Sequence, residues 1–92
     1  MVYVIAYDLQ KPNDKPKNYE RVTETINANF TWCHLQKSVW LVRSESSASE
    51  IRDILAPLLK NGDELFIARL KGNWASWGLG DRRNNWLHKS SF

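Results

Sequence analysis

The sequence predicts an α+β sandwich, a four-stranded antiparallel sheet with two helices packed on one of its faces. Three observations carry that prediction. The segments run in the order strand, helix, strand, strand, helix, strand. The first and third strands are apolar on both faces, as strands in the middle of a sheet are. The length of 92 residues provides one core and no second one. Together these give the ferredoxin-like βαββαβ layout, in which the first and third strands lie centrally.

The first strand is Val2-Tyr3-Val4-Ile5-Ala6-Tyr7-Asp8. Alternation puts Val2, Val4, Ala6 and Asp8 on one face and Tyr3, Ile5 and Tyr7 on the other. Asp8 then sits where a central strand leaves the sheet. Leu9 to Asn18 holds Pro12, Pro16, Asn13 and Asp14, all turn formers, and three lysines, so it reads as a basic loop. Asn18 is the expected N-cap of a helix whose apolar stripe is Tyr19, Val22, Ile26 and Phe30. Phe30 to Gln36 alternates, with Trp32 and His34 opposite Cys33 and Leu35. Lys37-Ser38 is a short turn, and Val39-Trp40-Leu41-Val42-Arg43 returns antiparallel to it.

The second helix announces itself with a capping box, Ser47 and Glu50. Its stripe is Ile51, Ile54, Leu55, Leu58 and Leu59, with Pro57 expected to shorten or kink the last turn. Asn61-Gly62 supplies a left-handed stop. The fourth strand, Asp63 to Leu70, sets Phe66, Ala68 and Leu70 against Leu65, Ile67 and Arg69. Residues 1–70 form the ferredoxin-like domain, and residues 71–92 an aromatic, basic extension. That extension carries Trp74, Trp77 and Trp86, too aromatic for a disordered tail, so part of it should dock. A fifth strand around Trp74 to Leu79 is expected.

Two helices protect one face of such a sheet, and the other would display a large apolar patch. Soluble monomers rarely leave more than a few hundred Å² of contiguous apolar surface bare. Three occupants compete. A second copy of the chain with the tail strapped across the seam is the preferred one. A single-stranded nucleic acid stacked on Tyr and Trp, or the tail folded back on its own subunit, are the others.

Thirteen Lys and Arg against ten Asp and Glu leave a net charge of +3, which permits a phosphate-bearing partner without requiring one. Cys33 is the only cysteine, so it forms no intrachain disulfide and is read as a small buried hydrophobe. His34 and His88 lack neighbours at zinc-ligand spacing. The N-terminus does not read as a secretory signal, and no apolar run approaches the roughly 18 residues that span a bilayer. A cytoplasmic protein with no membrane partner is expected.

Ala6-Tyr7-Asp8-Leu9 and Gln36-Lys37-Ser38-Val39-Trp40, placed within this element order, resemble the second CRISPR-associated adaptation protein family and the related virulence-associated protein D toxins. The resemblance covers residues 1–70. It implies a homodimer of facing sheets, with the two Asp8 carboxylates meeting across the two-fold axis. It also implies either a metal-dependent nuclease acting on RNA or DNA, or a scaffold holding DNA for a protein partner. The long Pro-rich first loop and the tail depart from the family pattern, so a stand-alone, toxin-like relative stands beside the adaptation role.

Hydrolysis of a phosphodiester with Mg²⁺ calls for hard oxygen ligands, and usually more than one carboxylate. Asp8 is therefore the candidate catalytic and metal-binding residue, acting as a symmetric pair. The competing reading is that Asp8 caps the strand end or accepts from loop amides. Lys11, Lys15, Lys17 and Arg21 follow Asp8 and are candidate phosphate contacts, with Arg82 and Arg83 a second candidate patch.

Overall fold

The computed structural model describes residues 1–10, 15–90 and 92, the side chains of residues 15–17 excepted. The elements are β1 (Val2–Asp8), α1 (Lys15–Asn29), β2 (Thr31–Gln36), β3 (Val39–Arg43), α2 (Ala48–Leu55), β4 (Glu64–Leu70) and α3 (Asp81–Lys89). The strands form one antiparallel sheet in the order β2-β3-β1-β4. This is the ferredoxin-like arrangement with β1 and β3 at its centre, as their two apolar faces demand.

One face of the sheet is closed by α1 and α2. Tyr3, Ile5 and Tyr7 from β1 and Trp40 and Val42 from β3 meet Val22, Ile26, Ile51 and Leu55 there, all of them buried. Trp40 donates its Nε1–H to Tyr7 Oη at 3.0 Å, so the largest core ring has its one polar atom paired. Burial pushes the Tyr7 hydroxyl pKa up, against the hydrogen bonds from Trp40 and Thr23. His34 stacks flat on Trp40 at 4.0 Å and Trp32 meets it edge-on at 5.3 Å, which extends this core to the β2 edge.

The local signals behave as expected in α2. Ser47 N donates to Glu50 Oε1 at 2.9 Å and Glu50 N donates to Ser47 Oγ at 3.2 Å, a closed capping box. Pro57 ends the α-helix, and Ala56–Leu58 continues as a single 3₁₀ turn. Gly62 takes a φ of 90°, a conformation that a side chain disfavours.

Two expectations are corrected. Asn18 is not the N-cap of α1, which begins at Lys15; it lies one helical turn before Val22 and shares that buried stripe. Pro16 is tolerated because an N–H in the first turn has no intrahelical acceptor. The extension adds no fifth strand, because Gly78 and Gly80 take φ of 80° and 83°, outside the strand region. After Gly80 the chain winds into α3, whose Trp86 and Leu87 turn onto the second face of the sheet.

The second face carries part of the chain's own tail. Val2, Val4, Leu35, Cys33, Leu41 and Leu70 are covered by Trp74, Leu79, Trp86, Leu87 and Phe92 of the same chain. The tail folds back on its own subunit, and Trp77, 95% exposed, is the aromatic it leaves undocked. The cover is partial. A cavity of about 190 Å³ remains between tail and sheet, and Phe66, further along β4, is 64% exposed.

Candidate functional site

Asp8 ends β1 on the tail-covered face, at the end of the sheet that the tail does not reach. The β1–β4 register pairs Asp8 with Glu64 and Ala6 with Phe66. Directly opposed residues of an antiparallel pair project from the same face, with Cβ atoms about 5 Å apart. Two exposed carboxylates therefore stand side by side, in an open groove of about 430 Å³ whose other walls include Ala6 and Phe66.

Asp8 makes no hydrogen bond or ion pair among the described residues. The structural work at this end of the sheet is done by Asp63 instead. Its Oδ1 accepts from Gln10 N at 2.8 Å and its Oδ2 from Lys60 N at 2.8 Å, tying the chain after β1 to the turn before β4. Among the described residues, a capping role for Asp8 thus has no contact to support it, and residues 11–14 of the following loop lie outside them. Like charges placed directly opposite one another destabilise a strand pair, so the Asp8–Glu64 juxtaposition costs stability unless a cation relieves it.

The donor set suits a hard cation. Two adjacent carboxylates are the number that Mg²⁺, which keeps several of its waters, takes from a protein. No cluster of three His, Cys, Asp or Glu side chains occurs among the described residues, so Asp8 and Glu64 are the two carboxylates that the described residues of one subunit bring together here. Glu64 is absent from the candidates read in the sequence. Its only signal there is its position at the start of the fourth strand, and the strand pairing that brings it to Asp8 is tertiary.

The cationic candidates separate. Lys11 lies outside the described residues, as do the side chains of Lys15 and Lys17. Arg21 is exposed on α1. Arg82 and Arg83 open α3 beside β2, two strands across the sheet from β1, so they form no single cluster with Asp8. Arg83 is anchored, its Nε donating to Leu79 O at 2.6 Å and its Nη1 to Leu35 O at 2.8 Å. Burial raises the Cys33 pKa, only partly offset by the charges of Arg82 and Arg83. Cys33 is a buried thiol, as expected.

An antiparallel ferredoxin-like sheet with α1 and α2 on one face places the chain among the α+β sandwiches. Within that class, the chain belongs to the CRISPR associated protein Cas2 family, whose model matches residues 1–76. A search of curated proteins finds no matching sequence. The match ends before α3, so the helix that closes the second face lies beyond it. Among the described residues no helix is long and apolar enough to cross a membrane.

Proposed function

We propose that this chain is a cytoplasmic homodimer that engages nucleic acid, and that Asp8 with Glu64 from each subunit forms a Mg²⁺-dependent phosphodiesterase site. The observation that supports this is the idle Asp8 carboxylate. It is exposed, opposed by a second carboxylate, and used by no structural contact among the described residues. Ala6 and the exposed Phe66 lie beside it, an apolar surface on which a second copy would bring two acid pairs together. The chemistry a bound Mg²⁺ supplies is polarisation of a phosphate oxygen and a water of lowered pKa. The chain's own part is to hold that ion with Asp8 and Glu64 and to orient phosphates with cations, for which Arg21 and Lys11, Lys15 and Lys17 are the candidates. A role in CRISPR adaptation fits family membership, and the likeness of Ala6 to Leu9 to the virulence-associated toxins fits a stand-alone nuclease equally.

Labelled RNA and DNA incubated with the protein test the reading. Cleavage is expected in Mg²⁺, none in EDTA, and none for Asp8→Ala, whose dimer mass by light scattering is unchanged. Undiminished cleavage by Asp8→Ala removes Asp8 from the mechanism. Binding without cleavage in any metal selects the second reading, a non-catalytic module that presents DNA to a protein partner such as an integrase.

A further inference from the structure

The tail leaves one knob and one hole on the second face of the sheet. Trp77 is 95% exposed, and the cavity of about 190 Å³ lies between the tail and the strands. From this pair we infer a reciprocal exchange between two copies of the chain, in which the Trp77 indole of each fills the cavity of the other. The inference rests on the homodimer of the reading above and names the residues that join it; it does not depend on a metal at Asp8. Trp77 is the first residue beyond the family match, and Leu79, Leu87 and Phe92 of the cavity wall also lie outside it. The exchange therefore belongs to this chain's own extension.

Three features select an indole from a second copy. The first is size and chemistry. Val4, Leu41 and Leu70 form the floor of the cavity, and Leu79, Leu87 and Phe92 close over it. An apolar cavity of about 150 Å³ admits one benzene ring, so this one takes a ring of indole size. The Ser76 hydroxyl at its wall donates to Asn84 Oδ1 at 2.8 Å and keeps lone pairs that can accept the indole N–H. The second is that the chain's own Trp77 is held out of the cavity. Ala75 and Ser76 before it and Leu79 after it line the wall, and the Ser76–Asn84 bond pins the loop to α3. Turning Trp77 inward would displace those residues and break that bond. Tryptophan is highly buried on average, and aromatic anchors seated in pockets dominate interfaces. The third is position. Phe66, 64% exposed, and Leu70, in the cavity floor, project from the same face of β4, four residues or about 13 Å apart along the strand. One interface of standard size, about 800 Å² per partner, covers both, and a two-fold axis makes each contact twice.

The test is sedimentation equilibrium in EDTA over a dilution series. The wild type is expected to dimerise. Trp77→Ala is expected to weaken the dimer at least about 30-fold, the threshold of an interface hot spot, while its monomer melts with the wild-type monomer. Val4→Phe, which fills the cavity from its floor, is expected to weaken the dimer with Trp77 intact. An equimolar mixture of the two variants regains one of the two contacts, so it should associate more tightly than either variant alone, which damage to the fold would not produce. Should Val4→Phe fail to fold, Trp77→Ala decides alone. A wild-type dimer that Trp77→Ala leaves unchanged overturns the exchange and leaves the homodimer reading standing. A wild type that stays monomeric overturns both. A buried-type Trp77 emission in that monomer, read as the difference from Trp77→Phe, would assign the cavity to the chain's own tail.

Discussion

The two faces of this sheet are made by the same strands and closed in different ways. On the α1–α2 side, Trp40, Ile5, Val42, Ile51 and Leu55 are fully enclosed and the buried indole N–H is paired. On the tail side the cover stops short: a cavity remains beneath it, and Phe66, Asp8 and Glu64 stay open. The difference separates two demands on an apolar surface. The first face holds the larger of the two buried clusters. The second is closed only where the tail reaches, and the unclosed end is where the spare carboxylates stand.

The comparison breaks most readily in the core. Trp40→Ala should cost about 3–5 kcal/mol, and Leu87→Ala, under the looser cover, near the low end of the roughly 2–5 kcal/mol for Leu→Ala. Urea midpoints measure both, and equal losses would erase the distinction between the faces. A smaller effect sharpens it. Ser47→Ala should cost about 1 kcal/mol by opening the α2 capping box, with faster amide exchange in α2 and none of the change in α3. The same box holds the Glu50 carboxyl below its usual pKa, through its hydrogen bonds to Ser47. Because the folded pKa is the lower one, this contribution is complete above the usual glutamate range. It fades as pH falls through the depressed value. Glu50→Gln should flatten that acid limb in a pH series of thermal melts.

The smallest effect belongs to the open end of the second face. In EDTA, Asp8→Asn should raise stability by about 0.2–1 kcal/mol by removing the like charge opposite Glu64. Added Mg²⁺ should then raise the Tm of the wild type and leave Asp8→Asn unmoved. A destabilised Asp8→Asn would mean that the carboxylate has structural work after all.

Much of the fold was legible because its signals are local. Ser47 and Glu50 sit one helical turn apart, Pro57 stops its own helix, and the Val2 to Tyr7 alternation needs no partner to be read. Asn18 misled because its residue type favours a cap, while its phase with Val22 and Ile26 placed it inside the helix. Trp74 to Leu79 misled because aromatic residues favour strands, while Gly78 and Gly80 broke the extended path. Asp8 was visible as a candidate; Glu64 was not, since strand pairing between the two ends of the chain is what makes them neighbours.

The sequence by itself determined the four strands and two helices within residues 1–70 and that β1 must be covered on both sides. Those outcomes come from backbone preference and from alternation over a few residues. Only the tertiary structure decided that the chain's own α3 supplies the second cover, that the cover ends before Phe66, and that Asp8 and Glu64 meet at one end of the sheet. Such outcomes depend on the register and packing of residues remote in the chain, whose contact energies no local pattern encodes.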